Sequence, residues 1–134
     1  MRFLGVRERR MQSEIKFASA MDPLTRTERA VWSTLQGHYG RARAIKKVRL
    51  AALCDLHERD LRNILKRLIQ VHGLPIGSTP SHPQGYFVIN SEEELAEIAG
   101  RYHRQALSLL YRVMRLKKVS AHQIARQIEM DLNL

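Results

Sequence analysis

Six polar side chains share one side of the segment HERDLRNILKRLIQVH, residues 57–72: Arg59, Arg62, Asn63, Lys66, Arg67 and Gln70. Each is a type that suits a nucleic acid. Arginine donates two parallel bonds to guanine O6 and N7, and asparagine or glutamine pairs with adenine N6 and N7. Lysine reaches guanine or phosphate as a point charge. Their spacing is helical. At about 100° per residue from Leu61, the residues Ile64, Leu65, Leu68 and His72 fall within about 60° and form a core side. Arg59, Asn63, Lys66 and Gln70 fall opposite, flanked by Arg62 and Arg67. The chemistry implied is hydrogen bonding in a DNA groove, with Arg59, Arg62, Asn63 and Lys66 deepest and Gln70 nearer the backbone. The plainer alternative is a solvated face, since an exposed helix surface is polar in any protein.

The elements that must hold these groups are legible around them. Thr25-Arg26-Thr27-Glu28 matches a capping box and opens a helix with Ala30, Val31, Trp32 and Leu35 inward, stopping near Gly37. A basic connection follows, with Arg41, Arg43, Lys46, Lys47 and Arg49 within nine residues and a very short strand at Ala44-Ile45. So many cations repel one another unless an anion or solvent intervenes, so phosphate contact is one reading and a solubilising loop the other. A second helix is expected over residues 46–54, burying Val48 or Leu50 with Leu53, then a turn at Asp55-Leu56-His57. The polar-faced helix spans residues 58–72 and stops at Gly73 in the left-handed conformation. Two helices joined by a tight turn, the second carrying the polar face, form the layout of a helix-turn-helix.

Beyond Gly73 the period changes from helical to two. Residues 74–78 and 85–89 read as strands around a turn-rich tip, TPSHPQ, making a β-hairpin wing. The tip lacks Lys and Arg. Tyr86 and Phe87 alternate in direction, one closing the core and one facing outward. Ser91 with Glu94 is expected to cap a long helix to about Lys118, and Ser120 with Gln123 a last helix with Ala121, Ile124, Ala125, Ile128 and Leu132 on one face. The expected fold is mainly α with a small β-hairpin wing, a winged helix-turn-helix plus a long C-terminal helical extension. Residues 1–23 form an N-terminal arm or short helix, 24–90 the winged domain and 91–134 the extension.

Composition agrees with a polyanionic partner. The 134 residues hold 23 Lys and Arg against 13 Asp and Glu, a net charge of +10, and a 44% hydrophobic content that suffices for a core. No apolar run approaches the roughly 18 residues of a membrane span. The N-terminus has no apolar stretch of signal-peptide length, so a cytoplasmic location is expected, in a bacterial cell or a phage-infected host. The one cysteine, Cys54, cannot form an internal disulfide and reads as a buried thiol.

Enzymatic readings find little support. His38, His57, His72, His82, His103 and His122 are widely spaced, without HxxxH or CxxC pairing, so no metal site and no cofactor is expected. No Gly-rich phosphate loop appears. Glu92, Glu93 and Glu94 follow a capping serine, where carboxylates complement the helix dipole.

Four pieces in order, HERDLRNILKRLIQVHGLPI, the hairpin ending GYFVIN, the capped SEEELAEI and the helix body RQALSLLYRVMRLKK, carry a resemblance. Over residues 24–118 the chain resembles the winged helix-turn-helix DNA-binding proteins of bacterial phages and prophages. The resemblance implies a winged-helix fold and double-stranded DNA binding in replication or transcriptional control, with residues 58–72 as the recognition helix. Two departures stand out. His57 occupies the position where Ser or Thr usually caps, and the wing is lengthened through Ser81-His82-Pro83-Gln84.

The competing class is a protein-interaction adaptor of a replisome or regulatory complex. The long helix would run about 40 Å. Its apolar Tyr102, Leu109, Leu110 and Met114, with Ile124 and Ile128 beyond, exceed what a small core covers. Those six residues are the expected dimerisation surface, since a homodimer would set two recognition helices about 34 Å apart on successive grooves. An intramolecular helical hairpin is the alternative use of the same residues.

Overall fold

The computed structural model describes residues 23–80 and 84–133. Residues 1–22 of the N-terminal arm expected over 1–23, and Ser81, His82 and Pro83 of the hairpin tip, lie outside the described residues. Five α-helices and one two-stranded antiparallel hairpin are present among the described residues. The chain divides into two compact units, one ending at Ile98 and one beginning at Ala99, inside a single long helix.

In the first unit, α1 (Arg26–Leu35) starts at the expected capping box. The Glu28 amide donates to Thr25 Oγ1 at 3.1 Å, and the Thr25 amide donates to Glu28 Oε1 at 2.9 Å. Its buried face is Glu28, Val31 and Leu35, three and four residues apart. Ala30 is exposed rather than inward, because it stands about 100° around the helix from Val31. A 3₁₀ turn at Arg41–Arg43 leads to α2 (Lys47–Leu53), of which Leu50 and Ala51 are buried. Of the expected alternatives Leu50 is the buried one and Val48 (66% exposed) faces outward, while Leu53 (57% exposed) faces outward against expectation. A seven-residue helix has only one side to bury, and Leu50 and Ala51 take it.

The turn to the next helix rests on Asp55, whose φ of +54° lies in the left-handed region, and on the Leu56 amide donating to the Ala51 carbonyl at 2.9 Å. Helix α3 (Glu58–Gln70) buries Leu61, Leu65 and Leu68 against α1 and α2. His57 is its N-cap but makes no side-chain capping bond. The helix ends at Gln70, two residues short of the expected span, and Gly73, with φ +65°, completes the expected left-handed stop, the Leu74 amide returning to the Leu68 carbonyl at 3.0 Å.

The hairpin pairs β1 (Ile76–Thr79) with β2 (Gly85–Val88), Ile76 opposite Val88 and Gly77 opposite Phe87. The first strand begins two residues later than expected and the second ends one residue earlier. Strand β2 is paired on its other side too. Ile45 exchanges both backbone bonds with Tyr86 at 2.8 Å, as the short strand expected at Ala44-Ile45 requires, and Tyr39 bridges Val88. Gly85 permits this, for a Cβ there would stand 2.1 Å from the Ile45 carbonyl oxygen. Tyr86 is half-buried against the main core and Phe87 is fully buried, against the expectation that one of the two rings faces outward. Gly77 makes the room, because a Cβ on it would meet the Phe87 ring at 2.8 Å.

Helix α4 (Glu92–Lys117) opens with Ser91 Oγ accepting from the Glu94 amide at 3.1 Å. The reciprocal half of the expected box is displaced by one residue, since Glu94 Oε1 accepts from the Asn90 amide at 3.1 Å. Ile98 is buried in the first unit. In the second unit α4 continues to Lys117, Lys118 turns at φ +55°, and α5 (Ala121–Asp131) starts at a complete Ser120–Gln123 capping box. Ile124 is buried and Ile128 half-buried, while Ala121, Ala125 and Leu132 are exposed. No helix among the described residues is long and apolar enough to cross a membrane.

Candidate nucleic-acid interface

Helix α3 is split lengthwise. Leu61 and Leu68 have no exposed surface and Leu65 only 3%. On the opposite side Arg59, Arg62, Asn63, Lys66 and Gln70 are all exposed, with no partner among the described residues. Arg59 also lines a recess of about 360 Å³ at the helix start with His57 and Asp60. The outward face is therefore a row of uncommitted donors on a helix whose inner face is locked.

Arg67 belongs elsewhere. Its Nε donates to Glu28 Oε2 at 3.0 Å, joining α3 to α1, although 46% of the side chain remains exposed. Glu28 is 2% exposed, and sequence alone does not distinguish it from an ordinary capping glutamate. Burial pushes its carboxyl up, but the Thr25 amide, the Arg67 and Thr25 side-chain bonds and the Arg67 charge together outweigh that and hold it below its ordinary 4.5. His72 sits on the core side as expected, with 4% of its side chain exposed and Nε2 3.4 Å from Glu28 Oε2. The signal available in the sequence was the spacing, since Arg67 flanks the apolar stripe about 120° from Leu61 and His72 lies within it, about 20° from Leu61.

The basic connection also separates into two kinds of cation. The Arg41 amide donates to Glu94 Oε2 at 2.8 Å and its guanidinium pairs with Glu97. The Glu97 bond raises the Arg41 pKa against the opposing effect of burial, with the charges of Glu97 and Glu94 adding to it. Lys47 Nζ lies 3.6 Å from Glu58 Oε2, spanning the turn between α2 and α3. Arg43, Lys46 and Arg49 are exposed, with no side-chain partner among the described residues. Of the five cations of the connection, Arg41 and Lys47 therefore lie beside carboxylates, and among the described residues Arg43, Lys46 and Arg49 do not.

At the hairpin tip Gln84 Nε2 donates to the Pro80 carbonyl at 2.7 Å, so this amide closes the turn. Cys54 is half-buried with Sγ 3.7 Å from Thr34 Oγ1. Among the described residues no three His, Cys, Asp or Glu side chains converge as a metal site would require. Of the expected dimerisation residues, Tyr102 and Leu109 are exposed, Leu110, Met114 and Ile128 half-buried, and Ile124 buried at 7%. Comparison with protein-family models, with curated proteins and with solved structures finds no match.

Proposed function

We propose that the first unit is a winged helix-turn-helix that binds double-stranded DNA, with α3 as its recognition helix. The observation that carries the reading is the uncommitted row Arg59, Arg62, Asn63 and Lys66 on a helix held rigidly through Leu61, Leu65 and Leu68. The order of elements supports it: two helices, a tight turn at Asp55 and a hairpin directly after the second helix. Seated in a major groove, Arg59 and Arg62 would meet guanine edges, Asn63 an adenine, and Lys66 guanine or phosphate. Gln70 would lie nearer the sugar–phosphate backbone. Arg43, Lys46 and Arg49 would neutralise phosphate. Arg41, Lys47 and Arg67 would act from within the fold, keeping the reading surface in shape. The protein is not an enzyme in this reading and works in the cytoplasm, in phage or prophage replication or transcriptional control.

The test is fluorescence anisotropy on labelled random duplex over a salt series. Each phosphate neutralised contributes about 0.9 to the slope of log K against log salt. Arg43→Ala/Lys46→Ala should therefore lower the slope by about 1.8. Arg59→Ala/Lys66→Ala should weaken binding and reduce preference among selected sites. Absence of duplex binding at physiological salt would overturn the proposal and favour the adaptor reading.

A further inference from the structure

The part of α4 in the second unit carries a seam that its own unit leaves open. Ala99, Tyr102, Ala106, Leu109, Val113 and Leu116 follow one another at spacings of three, four, three, four and three residues. A three-four alternation repeats every seven residues, as in a heptad, and keeps all six on one line of a gently supercoiled helix. All six are exposed; Tyr102 is 51%, Leu109 57% and Leu116 83% open to solvent. Leu110 and Met114, about 100° around the helix from that line, are half-buried. The seam is therefore a separate apolar line from the side that the fold already uses.

We propose that α4 pairs along this seam with α4 of a second copy of the chain, antiparallel. Two features choose the partner and the direction. The first is size. Centred between Ala106 and Leu109, an antiparallel pair sets Ala106 against Leu109, Tyr102 against Val113, and Ala99 against Leu116 of the second copy. Every layer then matches a smaller side chain with a larger one, which fills the space evenly. A parallel, in-register pair instead sets Ala99 on Ala99 and Ala106 on Ala106, leaving voids beside crowded tyrosine and leucine layers.

The second feature is charge. Residues 99–118 hold six cations, Arg101, Arg104, Arg112, Arg115, Lys117 and Lys118, and no acid. The same helix opens with Glu92, Glu93, Glu94 and Glu97. A parallel pair brings two basic ends together within the roughly 8 Å screening length of physiological salt. The antiparallel pair brings each basic end toward the acidic start of the other helix. The seam is about 26 Å long, short for a coiled coil, so its affinity is micromolar rather than nanomolar. The proposal stands apart from DNA binding and does not depend on it.

The test uses the full chain in sedimentation equilibrium between about 1 and 200 µM. The wild type should pass from monomer to dimer across that range. Leu109→Glu and Leu116→Glu should each shift the midpoint upward by at least tenfold with an unchanged circular dichroism spectrum. Direction is read by cross-linking Ala99→Cys/Leu116→Cys in a Cys54→Ser background. Mapped disulfides joining position 99 to position 116 between copies are expected. Disulfides joining 99 to 99 would overturn the antiparallel arrangement. A wild type that stays monomeric at 200 µM would overturn the pairing itself. In that case a lower melting temperature in Leu109→Glu would point to residues 1–22 as the occupant, and an unchanged one to a different protein.

Discussion

Replacing Glu28 by glutamine separates two roles that Arg67 could play. The substituted side chain would keep a carbonyl oxygen for the Thr25 amide, 2.9 Å away in the wild type, so the capping bond survives. Its amide nitrogen would face Arg67 Nε, donor against donor, where a carboxylate oxygen now accepts at 3.0 Å. A hydrogen bond to a charged partner contributes about 1.5–3 kcal/mol. Arg67 is 46% exposed and can turn to water, so screening reduces the loss to about 1–2 kcal/mol. The opposite change, Arg67→Met, strands a carboxylate that is 2% exposed and should cost more, about 2–4 kcal/mol. In a unit of this size each kcal/mol moves the midpoint by roughly 4–8 °C. Thermal melts at pH 7 should therefore rank wild type above Glu28→Gln above Arg67→Met. Duplex titrations of Arg67→Met at a temperature where it is folded should keep the wild-type salt slope. If Arg67→Met melts like the wild type while its slope falls by about 0.9, Arg67 is a phosphate ligand and the reasoning that ties it to Glu28 fails.

Three further outcomes follow from the same structure. The pH dependence has a defined sign. Glu28 is held below its ordinary 4.5 in the fold, so its stabilisation is present above that value and is lost as pH falls through the folded pKa. Urea denaturation should show the gap between wild type and Glu28→Gln closing as pH drops from 7 to below 4.5. Gly85→Ala should cost about 3 kcal/mol or more, read as a lower urea midpoint, because its Cβ would stand 2.1 Å from the Ile45 oxygen and part the connection from β2. At Asp55, φ +54°, replacement by glycine should leave stability within about 0.5 kcal/mol, while the β-branched Asp55→Val should lose about 1–2 kcal/mol.

Local chemistry made most elements legible in advance. The capping pairs Thr25–Glu28 and Ser120–Gln123, the stop at Gly73 and the split of α3 into Leu61, Leu65 and Leu68 against Arg59, Asn63 and Lys66 all act within one or two helical turns, where sequence spacing is spatial proximity. What stayed hidden depends on contacts between distant residues. Glu28 meets the Arg67 side chain across 39 positions and the Arg41 backbone amide meets Glu94 across 53, so neither contact leaves a periodic trace. The choice between Val48 and Leu50, and the exposure of Leu53, are not legible because seven residues are too few for a helical period to choose a face. The heptad spacing of α4 was present in the sequence, but only exposure separates that seam from the half-buried Leu110 and Met114 beside it.

The pairing of β2 on both sides has an entropic consequence. The connection between α1 and α2 is stitched to that strand at His38, Gly40 and Ile45 by backbone bonds of 2.7–2.8 Å. Arg43 lies between those stitches and Lys46 immediately after the last. Ordering a free backbone costs about 1–2 kcal/mol per residue, a cost that here is met during folding. Anything that engages Arg43 and Lys46 has only their side chains left to still.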